Sequence, residues 1–202
     1  MKFLKLANYL FHPLWTPTFG TFYFFLQSPA YYEPRIIGAK MLAVCVLTFF
    51  LPAVILFVLR YFKQIKTYEL KSVKERKLPL LLFTVIAAFI IRYVFSYASY
   101  PVMNLFFMGI FITGVIMTLG ALMRYKISLH TAGVSGLLVF VSLLSYYFLV
   151  PGLVWMSFLF LALGWTFSAR LASSAHTVSE LLLGVLVGGI PQLILFIYGY
   201  NM

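Results

Sequence analysis

Apolar residues run through this chain in long blocks separated by short polar joints. Blocks that long and that uniformly apolar predict membrane-crossing helices near residues 10–28, 37–59, 79–98, 102–123, 132–149, 152–171 and 181–199. Barrel strands would alternate apolar and polar positions, and these blocks do not. The expected fold is all-α: a polytopic transmembrane helical bundle of six to seven spans, forming a single domain over residues 1–202. The first block carries Pro13 and Pro17 in its opening turns. Proline removes a helix donor and clashes with the preceding turn, so this segment is read either as a span or as an interfacial or re-entrant piece.

Composition sharpens the picture. Hydrophobic residues make up 63% of the chain and charged residues 9%, and the mean hydropathy is +1.02. A soluble domain carries about 25% charged residues, so this chain lacks the polar surface that water requires. The net charge of +11 would suggest nucleic acid in a soluble protein. Here the cations sit in joints between apolar blocks and point to lipid head groups instead. Cys45 lies inside an apolar block and has no second cysteine to pair with. No cleavable signal sequence is expected, since Phe11–Gln27 is interrupted by its prolines and no small-residue cleavage site follows.

The joints divide into two kinds. "ASYP" (98–101) and "VPG" (150–152) are tight and nearly uncharged, whereas 60–77 and 124–130 are rich in lysine and arginine. With seven spans, those two basic joints share a side with the N-terminus and with 172–180. That side then holds twelve cations against Arg35 and Lys40 on the other, with Arg92 inside a span. The positive-inside rule places the basic face in the cytoplasm. Gly184 and Gly188, four apart, and Gly133 with Gly136 mark faces where helices can approach closely.

Three ionisable clusters fall on this one face: Lys71–Lys77, Arg124–His130 and Arg170–Glu180. If the last helix begins near Ser174, His176 and Glu180 lie one turn apart on one face. The carboxylate then holds one imidazole nitrogen and leaves the other exposed, which suits a nucleophile or base. Arg170 supplies a forked permanent charge suited to phosphate. His130, with Ser128 two residues before it, permits a second histidine to deliver a proton to a leaving group. Lys71, Lys74, Arg76 and Lys77 add cations. The bland readings are that Arg170 and Lys126 snorkel at helix ends, that His12 caps a turn at the interface, and that Arg92 snorkels or finds a partner.

In "SARLASSAHTVSE" (168–180) Arg170 is followed after five residues by His176 and after three more by Glu180. This resembles the third motif of the type 2 phosphatidic acid phosphatase superfamily, with Ser168 displaced by one and Glu in place of Asp. "ISLH" (127–130) is similar to the second motif in Ser128 and His130. Lys71 stands where the first motif begins, and Arg76 lies near its missing arginine. "FHPLWTP" (11–17) and "KISLHTAGVSG" (126–136) also look like a divergent branch found in Bacteroidetes-type bacteria. The resemblance covers a phosphatase-like core of about residues 60–199.

It implies an enzyme of the inner membrane that hydrolyses or transfers phosphate from a phosphorylated lipid through a phosphohistidine, without a metal or cofactor. His176 would be the nucleophile, Glu180 its orienter and His130 the acid. Arg170, Lys71, Lys74, Arg76 and Ser128 would hold the phosphate. Bacterial relatives often work on the periplasmic face, the alternative to the cytoplasmic face that the charge count favours. A second class of function is a catalytically degenerate member that binds a phospholipid or polyprenyl phosphate without hydrolysing it. Partners expected on either reading are a lipid phosphate and membrane lipids, with no nucleic acid.

Overall fold

The computed structural model describes residues 2–68, 70 and 72–199, without the side chains of 2, 3, 5 and 8. Among these residues the chain is all-helical. Six helices are long and apolar enough to cross a membrane: α3 (Pro34–Tyr61), α4 (Val73–Val94), α5 (Pro101–Leu122), α6 (Leu129–Phe148), α7 (Leu153–Ala172) and α8 (Val178–Gly199). The protein is a multi-pass membrane protein. Side chains such as Phe57, Leu81, Phe160 and Leu186 are exposed on the spans, where lipid tails cover them at no hydrophobic cost.

The first apolar block is not one continuous helix of span length. It divides into α1 (Lys2–Leu10) and α2 (Thr16–Gln27) around a turn at 11–15. Twelve residues reach about 18 Å at 1.5 Å each, well short of the roughly 30 Å hydrocarbon. Pro13 and Pro17 enforce the break. α2 follows α6: Thr16 sits beside Gly133, the Tyr23 hydroxyl is 2.6 Å from the Ser145 hydroxyl, and Phe24 packs on Phe148. α2 is therefore a short helix packed along α6 from Gly133 to Phe148.

Because the six spans alternate in direction, the connections 62–72, 123–128 and 173–177 all lie at one end of the bundle, here called the motif end. Arg60, Lys63, Lys66, Lys74, Arg76, Lys77, Arg124, Lys126 and Arg170 belong to that end, against Arg35, Lys40 and Arg92 at the other.

Helices α6 and α8 make the tightest pair. A β-carbon at Gly188 would overlap the Ala132 carbonyl, and one at Gly184 would overlap the Thr131 hydroxyl. With no side chain in the way, the backbones close in far enough for hydrogen bonds between helices. Thr131 Oγ1 donates to the Leu181 carbonyl at 3.1 Å and Ser135 Oγ to that of Val185 at 3.0 Å. Donors and acceptors both repeat every four residues, the spacing of one helix face. Each such bond contributes about 0.6 kcal/mol in a membrane, so the close packing and the bonds act together.

The helix ends follow a common rule. α3, α5, α6 and α7 stop with Lys63, Arg124, Leu149 and Ser174 in left-handed backbone. At α7 the Ala175 amide bonds the Arg170 carbonyl at 3.1 Å and the Ser174 amide bonds that of Leu171 at 2.9 Å, a Schellman turn. Glycine is the usual occupant of that position, and each of these side chains costs about 1–2 kcal/mol there.

Candidate functional site

The segment 170–180 is built from two ready-made local motifs. The Schellman turn ends α7 directly after Arg170. Thr177 and Glu180 then form a capping box for α8. The Glu180 amide donates to Thr177 Oγ1 at 3.3 Å, and the Thr177 amide donates to Glu180 Oε2 at 3.2 Å. This corrects the sequence reading in one respect. α8 begins at Val178 rather than near Ser174, and His176 precedes the cap instead of riding on the helix. The geometry that matters is present all the same, since the Glu180 carboxylate turns back over its own cap and meets His176 Nδ1 at 2.7 Å. One carboxylate oxygen both caps the helix and holds the ring.

His176 is buried. Burial pushes its pKa down to about 4, the Arg76 charge adds to this, and the Glu180 hydrogen bond opposes it; Lys126 and Arg170 push the same way as Arg76. The ring is neutral at pH 7. With Nδ1–H donating to the carboxylate, Nε2 keeps its lone pair, and it faces the Arg76 guanidinium at 3.5 Å.

Arg76 reaches this point because its other donors are anchored. Its Nε donates to the Leu70 carbonyl at 2.7 Å and one terminal nitrogen to the Ile127 carbonyl at 3.0 Å. Leu70 also has left-handed backbone, without ending a helix, and its turned carbonyl is what Arg76 binds. Arg170 is also buried. Its charge acts on both His176 and His12, so it stands within electrostatic reach of two histidines far apart in sequence. Lys126 Nζ donates to the Ala175 carbonyl at 2.6 Å and ties the α5–α6 connection to the α7–α8 connection.

His130 lies on the first turn of α6, half-buried. Its ring meets that of His12 edge to face, with centroids 5.2 Å apart and planes at 82°. Burial and the Arg170 charge lower the His12 pKa to about 4. A narrow cavity runs beneath, lined by Pro13, Leu129, Met117, Gly133, Leu137 and Gln192 among others. Pro13 and Leu129 are the chain neighbours of His12 and His130. From Leu129 to Leu137 the cavity follows α6 for eight residues, about 12 Å at the helical rise.

Some expected members stand elsewhere. Ser128 is fully buried; its hydroxyl accepts the Thr131 amide as the N-cap of α6, and its own amide donates to the Glu180 carbonyl at 3.2 Å. It braces the two histidine-bearing segments, with its hydroxyl engaged in the cap. Lys74 is exposed, because residues two apart on a helix point to nearly opposite sides and Arg76 takes the inward one. Ser168 is likewise turned out, bonding the Gly164 carbonyl at 2.9 Å. Lys71 lies outside the described residues.

Two residues of the cluster were read from sequence as bland. Lys126 carries the pattern of a snorkelling helix-end cation, and its place two residues before Ser128 is the signal that it does more. His12 carried no signal beyond the unusual "FHPLWTP", since its partner is more than a hundred residues away. No protein-family model, curated protein or solved structure matches this chain.

Proposed function

We propose that the protein is a membrane-embedded phosphatase or phosphotransferase acting on a phosphorylated lipid through a phosphohistidine, a divergent relative of the type 2 phosphatidic acid phosphatases. The observation that carries this reading is His176: a neutral imidazole, held at Nδ1 by Glu180, with its Nε2 lone pair turned toward an anchored guanidinium. A phosphoryl group placed between Nε2 and the Arg76, Arg170 and Lys126 cations meets a nucleophile and its charge stabilisers at once.

In the first step the Nε2 lone pair attacks phosphorus and the bond to the lipid oxygen breaks. That oxygen takes a proton from His130, and the lipid leaves as an alcohol. The product is a phosphorus–nitrogen bond on His176. In the second step water attacks phosphorus, gives a proton to His130, and the phosphorus–nitrogen bond breaks to release inorganic phosphate. An alcohol in place of that water gives phosphoryl transfer. Glu180 holds the imidazole in one tautomer and stabilises the charge it gains. The apolar cavity below His12 and His130 favours a lipid over a soluble phosphate ester. We place this end in the cytoplasm of a bacterial inner membrane, because the cations of the spans and their connections gather there. Relatives with periplasmic sites supply the alternative orientation.

A second reading has its own observations. The Arg76 guanidinium already occupies the approach to Nε2, and Ser128 is spent on the cap. Both suit a degenerate site that binds a phospholipid or polyprenyl phosphate without hydrolysis. Phosphate release by the purified protein from a panel of lipid monophosphates separates the two. Release that disappears in His176→Ala supports the enzyme. Binding that depends on Arg170 without any release supports the binder.

A further inference from the structure

We propose that His12 is a third histidine of this site, a positioning residue that holds the His130 ring in the orientation needed to pass a proton to the leaving oxygen. The catalytic part of this proposal rests on the phosphatase reading above.

Several residues of "FHPLWTP" fix the turn that carries this ring. Phe11 wedges against α7, with centroids 6.0 Å from Phe158 and 5.9 Å from Trp165. Trp15 stacks on Phe49 of α3 at 3.9 Å. Thr16 Oγ1 donates to the Pro13 carbonyl at 2.8 Å, and the Trp15 amide donates to the His12 carbonyl at 2.9 Å, so the turn closes on itself. The turn approaches α6 where Gly133 leaves room; a β-carbon there would lie 3.2 Å from Thr16 Oγ1 and 3.4 Å from Pro13 Cα. Gly133 is one turn past His130, on the same face. The glycine that admits the turn and the histidine that meets its ring therefore belong to a single contact.

The chemistry of the ring is also set. His12 Nδ1 accepts the Leu14 amide at 3.4 Å, which assigns the proton of the neutral ring to Nε2. Its edge-to-face contact with His130 restricts rotation of that ring without bringing a second charge close to it. A ring serving only as filler between α6 and α7 would need neither the polar nitrogens nor a place within reach of Arg170, whose charge it feels.

The chain has only three histidines, so a test can follow each of them. The experiment uses the purified full chain in mixed micelles, with phosphatidic acid and p-nitrophenyl phosphate as paired substrates. His12→Ala is expected to slow phosphatidic acid hydrolysis at least tenfold and aryl phosphate hydrolysis less than threefold, because the activated leaving group needs no proton. The double variant with His130→Ala should be no slower than His130→Ala alone, since one residue acts through the other. His12→Phe, which keeps a ring edge against His130, should recover most of the lost rate. Equal losses on both substrates, or losses that add in the double variant, would overturn the positioning role. In parallel, ring-nitrogen NMR of histidine-labelled protein should show the His130 signals moving in His12→Ala while those of His176 stay. If the wild type hydrolyses neither substrate, the phosphatase reading falls by itself and the NMR decides: unmoved His130 signals overturn the role of His12, and moved ones keep it as the partner that orients His130.

Discussion

Both ends of the bundle carry cations and polar side chains, yet they use them differently. At the end opposite the motifs, α4 closes with a π-helical turn over Ile90–Val94, which displaces carbonyls from the regular ladder. Lys40 donates to the Val94 carbonyl and lies over the Phe95 and Tyr100 rings. Asn104 donates to the carbonyls of Ile91 at 3.2 Å and Phe95 at 2.6 Å. There the polar side chains terminate on backbone, which is the requirement a membrane imposes. At the motif end Arg76 also satisfies two carbonyls, but a third donor points at a ring nitrogen, and Arg170 and Lys126 act electrostatically on the same ring. Polar groups that end on backbone hold a fold together. On the proposed reading, polar groups gathered around a neutral, oriented imidazole supply the means for chemistry.

The comparison is broken most severely at His176. His176→Ala should abolish phosphate release, a loss of at least about 10³-fold, while thermal unfolding in detergent moves little. Removing Lys40 should do the reverse: Lys40→Ala leaves the α4 terminus without its donor, lowering thermal stability by about 1–3 kcal/mol with rates within a few-fold of wild type. A variant of Lys40 that loses turnover and keeps its stability would show that the two ends do not divide the work in this way.

The next effect in size is at Glu180. Glu180→Gln keeps a group able to accept the Thr177 amide and so keeps the capping box, but it removes the charge that stabilises a cationic imidazole. Turnover should fall roughly 10–10³-fold with only a small change in unfolding temperature. Equal losses of stability and rate would mean that the carboxylate serves the helix end alone.

Much of this architecture could be read from the sequence. The six spans follow from block length, and Pro13 with Pro17 marked the first block as the uncertain one. The spacing of Gly184 with Gly188 located the α8 face that meets α6, whereas Gly133 and Gly136 meet different neighbours, Gly136 the Gly188 backbone and Gly133 the turn at Pro13 and Thr16. The convergence of the three clusters on one end follows from counting spans. Side-chain direction was harder to read. Ser128 reads as a ligand because it neighbours His130, but a serine just before a helix start is also a cap by preference, and its hydroxyl accepts the Thr131 amide here. Lys74 is exposed because, two residues from the inward Arg76 on α4, it points to the other side. His12 could not be seen at all, since an edge-to-face pair across more than a hundred residues leaves no periodicity in either segment.

Acid should act on the motif end first. The His176 and His12 pKa values are lowered to about 4 from an unfolded value near 6.5. The native state therefore binds fewer protons than the unfolded state, and stability rises with pH across this window. The contribution is complete above about pH 6.5 and is lost as the pH falls through about 4. Unfolding temperatures measured from pH 7 to 4 should decline, and a variant carrying His12→Phe and His176→Phe should decline less. A flat wild-type profile would contradict the neutral state of these rings.

Packing predictions come last. Gly188→Ala forces a β-carbon onto the Ala132 carbonyl and should cost about 1–3 kcal/mol. Gly164→Ala meets nothing within 4 Å and should be neutral or stabilising by up to about 1 kcal/mol. Similar unfolding temperatures for the two variants would mean that α6 and α8 do not meet through their glycines.

The central claim is that His176 attacks phosphorus, and trapping the intermediate tests it most directly. Wild-type protein is mixed with a lipid monophosphate labelled in its phosphoryl group, quenched within milliseconds in alkali, digested, and the labelled peptide sequenced. The account predicts an acid-labile, alkali-stable adduct on the peptide containing His176, absent from His176→Ala and accumulating when a good leaving group speeds the first step and leaves the second rate-limiting. Phosphate release without any such adduct, or label on a residue other than His176, would contradict it.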